Sequence, residues 1–219
     1  VAAKAMVGVS IEEQKICDQR ISPFFCVKEA VFPFSKFPGV DTILGPEMKS
    51  TGEVMGIGKS FAEAFIKSQI AAGINLPKSG NGGTAFISVR DHDKQAVISI
   101  SVSLVRLGFG LLATKGTAAI LSKNGIAVEV INKVAQGRPH IVDAIKNGEI
   151  SFIVNTVGDE KNAVTDSLSI RTSALGSKVA TYTTIAGARA AVEGMTTIAQ
   201  SRLAVYDLQD IHKNILINS

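Results

Sequence analysis

From Ala85 onward the chain alternates short apolar segments with helical ones, and nothing else in the sequence constrains the fold as tightly. AFISV, LLAT, AVEVI, SFIVNT and VATYT are apolar runs of strand length. Between and after them the spacing predicts helices from about Lys94 to Gly108, through Leu121, across His140 to Asn147, from about Asp166 to Ser177 and from about Ala186 to Gly194. Strands alternating with helices argue for a parallel sheet, and near-continuous apolar strands argue for helices on both of its faces. The tail LAVYDLQDIHKNI fits either a last strand or a last helix.

Upstream the rhythm differs. VAAKAMVGVSIEEQ, residues 1–14, reads as a helix, with Val1, Ala5 and Val9, and Ala2 and Met6, in helical spacing. Its partner surface is expected to lie outside the chain. CVKEAVFPF, from Cys26 to Phe34, alternates as a strand does. The stretch from Pro33 to Gly56 holds too many Pro and Gly residues for a regular element, yet carries Phe34, Phe37, Ile43, Leu44, Met48, Val54 and Met55, so a packed loop is expected. Ser60-Phe-Ala-Glu63 has capping-box spacing and opens a helix through about Ala72. Asn75 to Thr84, with Pro, Ser and three Gly, reads as a linker. The expected division is 1–73, a linker at 74–84, and an α/β unit at 85–219.

Composition narrows the function classes. A formal charge of +4 over 219 residues, with Lys and Arg scattered among acids, leaves no nucleic-acid footprint. The apolar stretch from Ala96 to Val105 is far shorter than the roughly 20 residues of a membrane span. The N-terminus lacks the order of a signal peptide and has no initiator Met. Cys17 and Cys26 read as two reduced thiols, and His92, His140 and His212 stand at no metal-ligand spacing, so no metal site is expected.

In open parallel sheets ligands bind at the carboxyl ends of the strands. The residues there are Ser88 and Lys94 after the first strand, Thr114-Lys-Gly-Thr117 after the second, Lys133 after the third, Asn155-Thr156 after the fourth and Thr183-Thr184 after the fifth. Thr114 to Thr117 sits where a strand turns into a helix, so backbone N–H groups, two hydroxyls and the positive helix end can face one anion, with Gly116 admitting close approach. Lys94 and Lys133 add charge, and the Asn155 amide can read a ribose or base edge. A phosphomonoester suits such a pocket. The plainer alternative makes each threonine a helix cap and each lysine a solvated side chain.

The run KFPGVDTILGPEMKSTGEVMG, between VKEAVFPF and SFAEAFIKSQ, closely resembles the end of the second ATP-grasp unit in the large subunit of the carbamoyl phosphate synthetase family. ISVRDHDK, ATKGTA, INKVAQGRPHIVDAIKNGEI and IVNTV resemble the allosteric domain that follows it there, in the same order. The resemblance implies a Rossmann-like, methylglyoxal-synthase-like α/β allosteric domain preceded by a partial α+β ATP-grasp segment. It also implies a piece of a larger cytoplasmic ligase subunit that makes carbamoyl phosphate for pyrimidine and arginine biosynthesis. The parent uses ATP and Mg and works with a glutaminase small subunit. The Mg-binding carboxylates and nucleotide lid are expected upstream of Val1, leaving this chain without cofactor or catalysis of its own. Its partners would be the rest of the large subunit, a nucleotide monophosphate of UMP or IMP type, and further copies through oligomer contacts.

By the same resemblance Lys94, Thr114, Thr117, Lys133 and Asn155 match the positions that hold the effector phosphate and ribose, and Val134, Ile141, Asp166, Ser167 and Ile170 the wall around the base. Val157 replaces a threonine of the family, and Lys115 a usual histidine. For a second effector, ornithine, Glu29 and Thr183 match, but the family's Tyr-Asp-Thr is Thr181-Tyr182-Thr183 here and its carboxylate is lost. The plainer alternative for Glu29 is a strand carboxylate paired with a nearby Lys. A methylglyoxal-synthase-like phosphate lyase is the alternative, but the turn Gln136-Gly-Arg-Pro-His140 holds no carboxylate base, and Asp143 falls inside a helix.

Two other patterns mislead. Gly52-Glu-Val-Met-Gly-Ile-Gly-Lys-Ser60 resembles a P-loop with one residue too many and no strand expected before it, and Gly80-Asn-Gly-Gly misses dinucleotide spacing. Asp91-His92-Asp93 reads as acids capping a helix start rather than as metal ligands.

Overall fold

A computed structural model describes residues 1–15, 23–34, 48–77, 83–158 and 161–211, with the backbone alone for 161–164. Phe37, Ile43 and Leu44 of the expected loop, Cys17, His212 and linker residues 78–82 lie outside the described residues.

The expected 1–14 helix is instead a helix of five residues, α1 (Ala2–Met6), that buries no side chain. Gly8, at φ +93°, ends it, with the Gly8 and Val9 amides donating back to Ala5 and Lys4 carbonyls. Such a left-handed residue closes a helix cheaply only when it is glycine. A separate turn follows, opened by reciprocal bonds between Ser10 and Glu13 at 2.9 and 3.1 Å.

Strand β1 (Phe25–Val31) pairs antiparallel with β2 (Gly52–Gly58), Val27 facing Gly56. The second strand corrects the loop reading of residues 33–56. Its glycines hide it from pattern analysis and are also the reason it packs. Helix α2 (Phe61–Ala71) lies so close that a Cβ on Gly56 would overlap the Ala64 carbonyl and come within 2.6 Å of the Ser68 amide. A Cβ on Gly58 would come within 2.7 Å of the Ala64 amide.

Ser60 caps α2 as its spacing predicts, accepting from the Glu63 amide at 3.2 Å. Glu63 reaches back one residue further than the standard box, to the Lys59 amide at 2.8 Å. Burial would raise the Glu63 carboxyl, but the bonds from Lys67, Lys59 and Tyr206 outweigh it and leave it below the usual carboxylate value.

The α/β unit is a parallel five-stranded sheet of order β5-β4-β3-β6-β7, built from β3 (Thr84–Ser88), β4 (Gly110–Ala113), β5 (Glu129–Val130), β6 (Ile150–Asn155) and β7 (Ala180–Tyr182). Helices cover both faces. Ala85 and Ile87 of β3 point into a core shared with α3 (Ala96–Arg106), α4 (Lys115–Lys123) and α7 (Ile185–Gln200). Phe86, between them, points the other way, into a core shared with α5 (Ile141–Lys146) and α6 (Lys161–Gly176). This two-sided burial explains the near-continuous apolar strands.

Two helices outrun their predicted bounds. α6 begins at Lys161 rather than Asp166. α7 continues to Gln200 through Gly194, a residue that reads as a terminator but instead lets Ile66 of α2 approach within 3.1 Å of where its Cβ would sit. α2 is therefore held between the two-stranded sheet and α7, joining the two units. Residues 202–207 form no regular element and lead into a helical turn at 208–211, where Ile211 is buried. Tyr206 lies against α2, its hydroxyl donating to Glu63 at 3.2 Å and its ring 4.4 Å from the Lys67 ammonium.

Gly56→Ala is expected to cost about 2–4 kcal/mol of unfolding free energy, because the added methyl meets backbone that cannot move aside. Gly52→Ala, with nothing within 4 Å of its Cβ, should stay within about 0.5 kcal/mol in the same urea titration.

Candidate functional site

The strand order reverses between β3 and β6: the chain runs outward from β3 through β4 to β5, then returns to β6 and continues to β7. At such a switch point the strand ends open a crevice. Ser88 and Asn155 are partners in the register there, and Thr114 follows β4 beside them.

Thr114 stands at the N-cap of α4 but makes no capping bond. Its hydroxyl donates to Ser88 Oγ at 3.2 Å instead, with Thr117 Oγ1 at 3.5 Å. Thr117 Oγ1 accepts from the Val89 amide at 3.3 Å. An ordinary cap exists nearby for contrast: Thr184 heads α7 and accepts from the Gly187 amide at 3.1 Å. The plain capping reading thus fits Thr184 and not Thr114. The first amides of α4 keep no side-chain cap, at the positive end of a nine-residue helix.

Lys94 stands above this helix end, its Nζ 3.2 Å from the point where a Gly116 Cβ would be. It pairs with Asp91 at 2.7 Å. That bond, with the charge of Lys94 and to a lesser extent that of Lys133, holds the Asp91 carboxyl below its usual value. Asn155 closes the crevice floor at 1 % exposure. Its Oδ1 accepts from Ser167 Oγ at 3.5 Å, while its Nδ2 has no acceptor. A buried amide donor without a partner costs about 1–3 kcal/mol unless something else fills the place.

The remaining predicted wall is divided. Val134 is partly buried against the α5/α6 core and Asp166 is half-buried, whereas Ile141 and Ile170 lie within that core at 0 and 2 % exposure. The acids of Asp91-His92-Asp93 occupy a 3-10 turn ahead of α3 and make no capping bond. Asp93 turns inward and receives Arg90 Nε at 2.8 Å, Thr156 Oγ1 and His92 Nδ1. Thr156 in turn accepts from the Arg90 amide at 3.1 Å, tying the β3–α3 turn to the end of β6.

His140, which ends the turn that holds no carboxylate base, is buried at the head of α5. Its Nδ1 accepts from the Asp143 amide at 3.4 Å, and its own amide donates to Asp143 Oδ2 at 3.1 Å. Among the described residues no group of three or more His, Cys, Asp or Glu side chains is arranged to hold a metal ion. No helix among them is long and apolar enough to cross a membrane.

Glu29 and Thr183 meet at a separate place, lining a cavity of about 670 Å³ between the two units with Phe32, Phe34, Thr181 and Lys178. Glu29 does not pair with a local lysine, since Lys28 pairs with Glu53. It accepts from Gln69 Nε2 at 3.0 Å, and Gln69 Oε1 accepts from Tyr182 at 2.9 Å. Burial raises the Glu29 carboxyl despite that bond. Burial, with the Glu29 charge beyond Gln69, also pushes the Tyr182 phenol up. Sequence reading missed this relay; its one signal was a glutamine on the inward side of α2.

Burial would raise the Asp93 carboxyl too, but the bonds from Thr156, Arg90 and His92 prevail and leave it below the usual value. A depressed carboxyl stabilises the fold above its unfolded pKa and ceases to do so as pH falls through the folded one. Stability is therefore expected to decline below about pH 4. Asp93→Asn should cost about 1–3 kcal/mol at pH 7 and flatten that acid decline in denaturation measured from pH 2 to 7.

A family model of the MGS-like domain matches residues 96–183. The carbamoyl phosphate synthase large chain of Ralstonia nicotianae is 53 % identical over 215 residues, covering 98 % of this chain and 19 % of that protein. That of Pasteurella multocida is 53 % identical over 216 residues, covering 99 % and 20 %. That of Neisseria meningitidis serogroup A is 51 % identical over 212 residues, covering 97 % and 19 %. The chain spans about a fifth of the length of these curated relatives.

Proposed function

We propose, for a chain that carries an MGS-like domain and is homologous over nearly its whole length to the C-terminal region of the carbamoyl phosphate synthase large chain, that its strand-end crevice binds a nucleoside monophosphate as a regulatory effector. The observation that supports this reading most is the set of donors converging at the switch point: the α4 amides without a side-chain cap, Lys94 above Gly116, and the buried Asn155 Nδ2 without an acceptor. A phosphate on the helix end would take the amides, the helix dipole and the lysine together. The sugar or base edge would supply the acceptor that Asn155 lacks.

In this reading the chain senses UMP or IMP for a cytoplasmic ligase that uses ATP and Mg and receives ammonia from a glutaminase subunit. Carbamoyl phosphate for pyrimidine and arginine synthesis is its product. The chain contributes regulation and no catalytic group. α2, packed on β2 and on α7, is the element through which a bound state would favour one arrangement of the upstream synthetase. Such coupling typically amounts to about 1–3 kcal/mol. At the Glu29–Thr183 cavity, Gln69, itself held by Tyr182, already engages the carboxylate that a diamino acid would require, so ornithine is not proposed as a ligand.

Calorimetric titration of the chain with UMP and IMP is expected to give one-to-one binding of at least one of them. Lys94→Met and Asn155→Ala should each weaken it about tenfold or more, as loss of a charge-assisted or buried hydrogen bond does. Absence of heat with both nucleotides, the circular dichroism being unchanged, would remove the proposal.

A further inference from the structure

Two aspartates two positions apart on one turn do opposite things. Asp93 is buried and engaged by Arg90, His92 and Thr156. The Asp91 side chain is 94 % exposed, yet its carboxylate lies 2.7 Å from the Lys94 ammonium, itself only 23 % exposed over the first turn of α4. An anion arriving at the α4 amides would meet Lys94, and Asp91 already occupies it.

We propose that Asp91 is a tethered competitor for the strand-end crevice, a carboxylate that stands in for the effector's phosphate at Lys94 when the site is empty and must leave when the phosphate binds. The geometry suits an attenuator rather than a block. Asp91 sits on the solvent side of the turn, so rotation about its own side-chain bonds removes it without disturbing Asp93 or the turn. Exposed ion pairs are weak, so the pair is displaced readily by a phosphate that also gains the helix amides. What remains is a lower affinity: the incoming anion must part Lys94 from its carboxylate and bind beside a like charge. The device sets the effector concentration at which the site fills and also selects for ligands with the charge to displace it, a phosphate dianion over an uncharged nucleoside.

This inference rests on the crevice being the nucleotide site, and one set of titrations separates the two. UMP is titrated calorimetrically into the unchanged chain, Asp91→Asn, Lys94→Met and the double variant, at low and at high salt. Asp91→Asn is expected to bind UMP about three- to tenfold more tightly at low salt. The gain should shrink as salt screens the site, over a Debye length of about 10 Å at 0.1 M, and should be absent in the Lys94→Met background. Binding by Asp91→Asn alone would also support the competitor. If the unchanged chain binds UMP and Asp91→Asn binds it equally or less well, or if the gain persists without Lys94, the competitor is refuted and the site reading stands. Binding by neither would overturn both. The Asp91 side chain's exposure makes a folding defect in Asp91→Asn unexpected, and its melting curve serves as the control.

Discussion

The parallel pairing of β3 with β4 on one side and β6 on the other is the constraint on which the rest of the α/β unit depends. It continues past the strands, the Thr114 amide donating to the Ile87 carbonyl and the Thr156 amide to that of Ser88. Those bonds bring Ser88, Thr114 and Asn155 to one crevice although they come from distant parts of the chain. A one-residue slip would turn Phe86 and Ile87 to the wrong cores, so the packing that stabilises the sheet also fixes the site. Polar groups at the strand ends are then held by the apolar ones behind them.

The joint between the units follows a different logic. The glycines of β2 and Gly194 of α7 let α2 approach backbone on both sides. Polar links span the same joint, Tyr182 through Gln69 to Glu29 at one end and Tyr206 to Glu63 at the other. Tyr182 also packs its ring, tilted by 33°, against Phe152 of the sheet core at 5.4 Å between ring centroids. A change at the sheet therefore has a short, packed route to β1. Part-buried bonds of this kind contribute about 1 kcal/mol each, enough to bias an arrangement without locking it.

Apolar runs made β3, β4, β6 and β7 legible in the sequence, because strands buried on both faces need apolar residues at nearly every position. β2 was illegible for the converse reason: Gly56 and Gly58 are there for what lies against them, and glycine carries no periodicity. The run to Gln200 in α7 was hidden by Gly194 in the same way. At the site, residue types at strand ends pointed to Ser88, Thr114, Thr117 and Asn155 as neighbours. The direction of the Thr114 hydroxyl was invisible because Ser88 belongs to another strand, and the inward turn of Asp93 because it depends on Thr156 at the end of β6. Gln69 and Tyr182 were missed because their partnership exists only once the two units pack.

In the proposed reading the α4 amino end, Lys94 and Asn155 form one anion-centred pocket. A crystal structure of the chain grown with UMP tests it most directly. The expected density places the phosphate on the Gly116 and Thr117 amides within hydrogen-bond distance of Lys94 Nζ, and a nucleoside oxygen accepting from Asn155 Nδ2. Phosphate density at the cavity beside Lys178 and Thr183, with the α4 end bare, would contradict it.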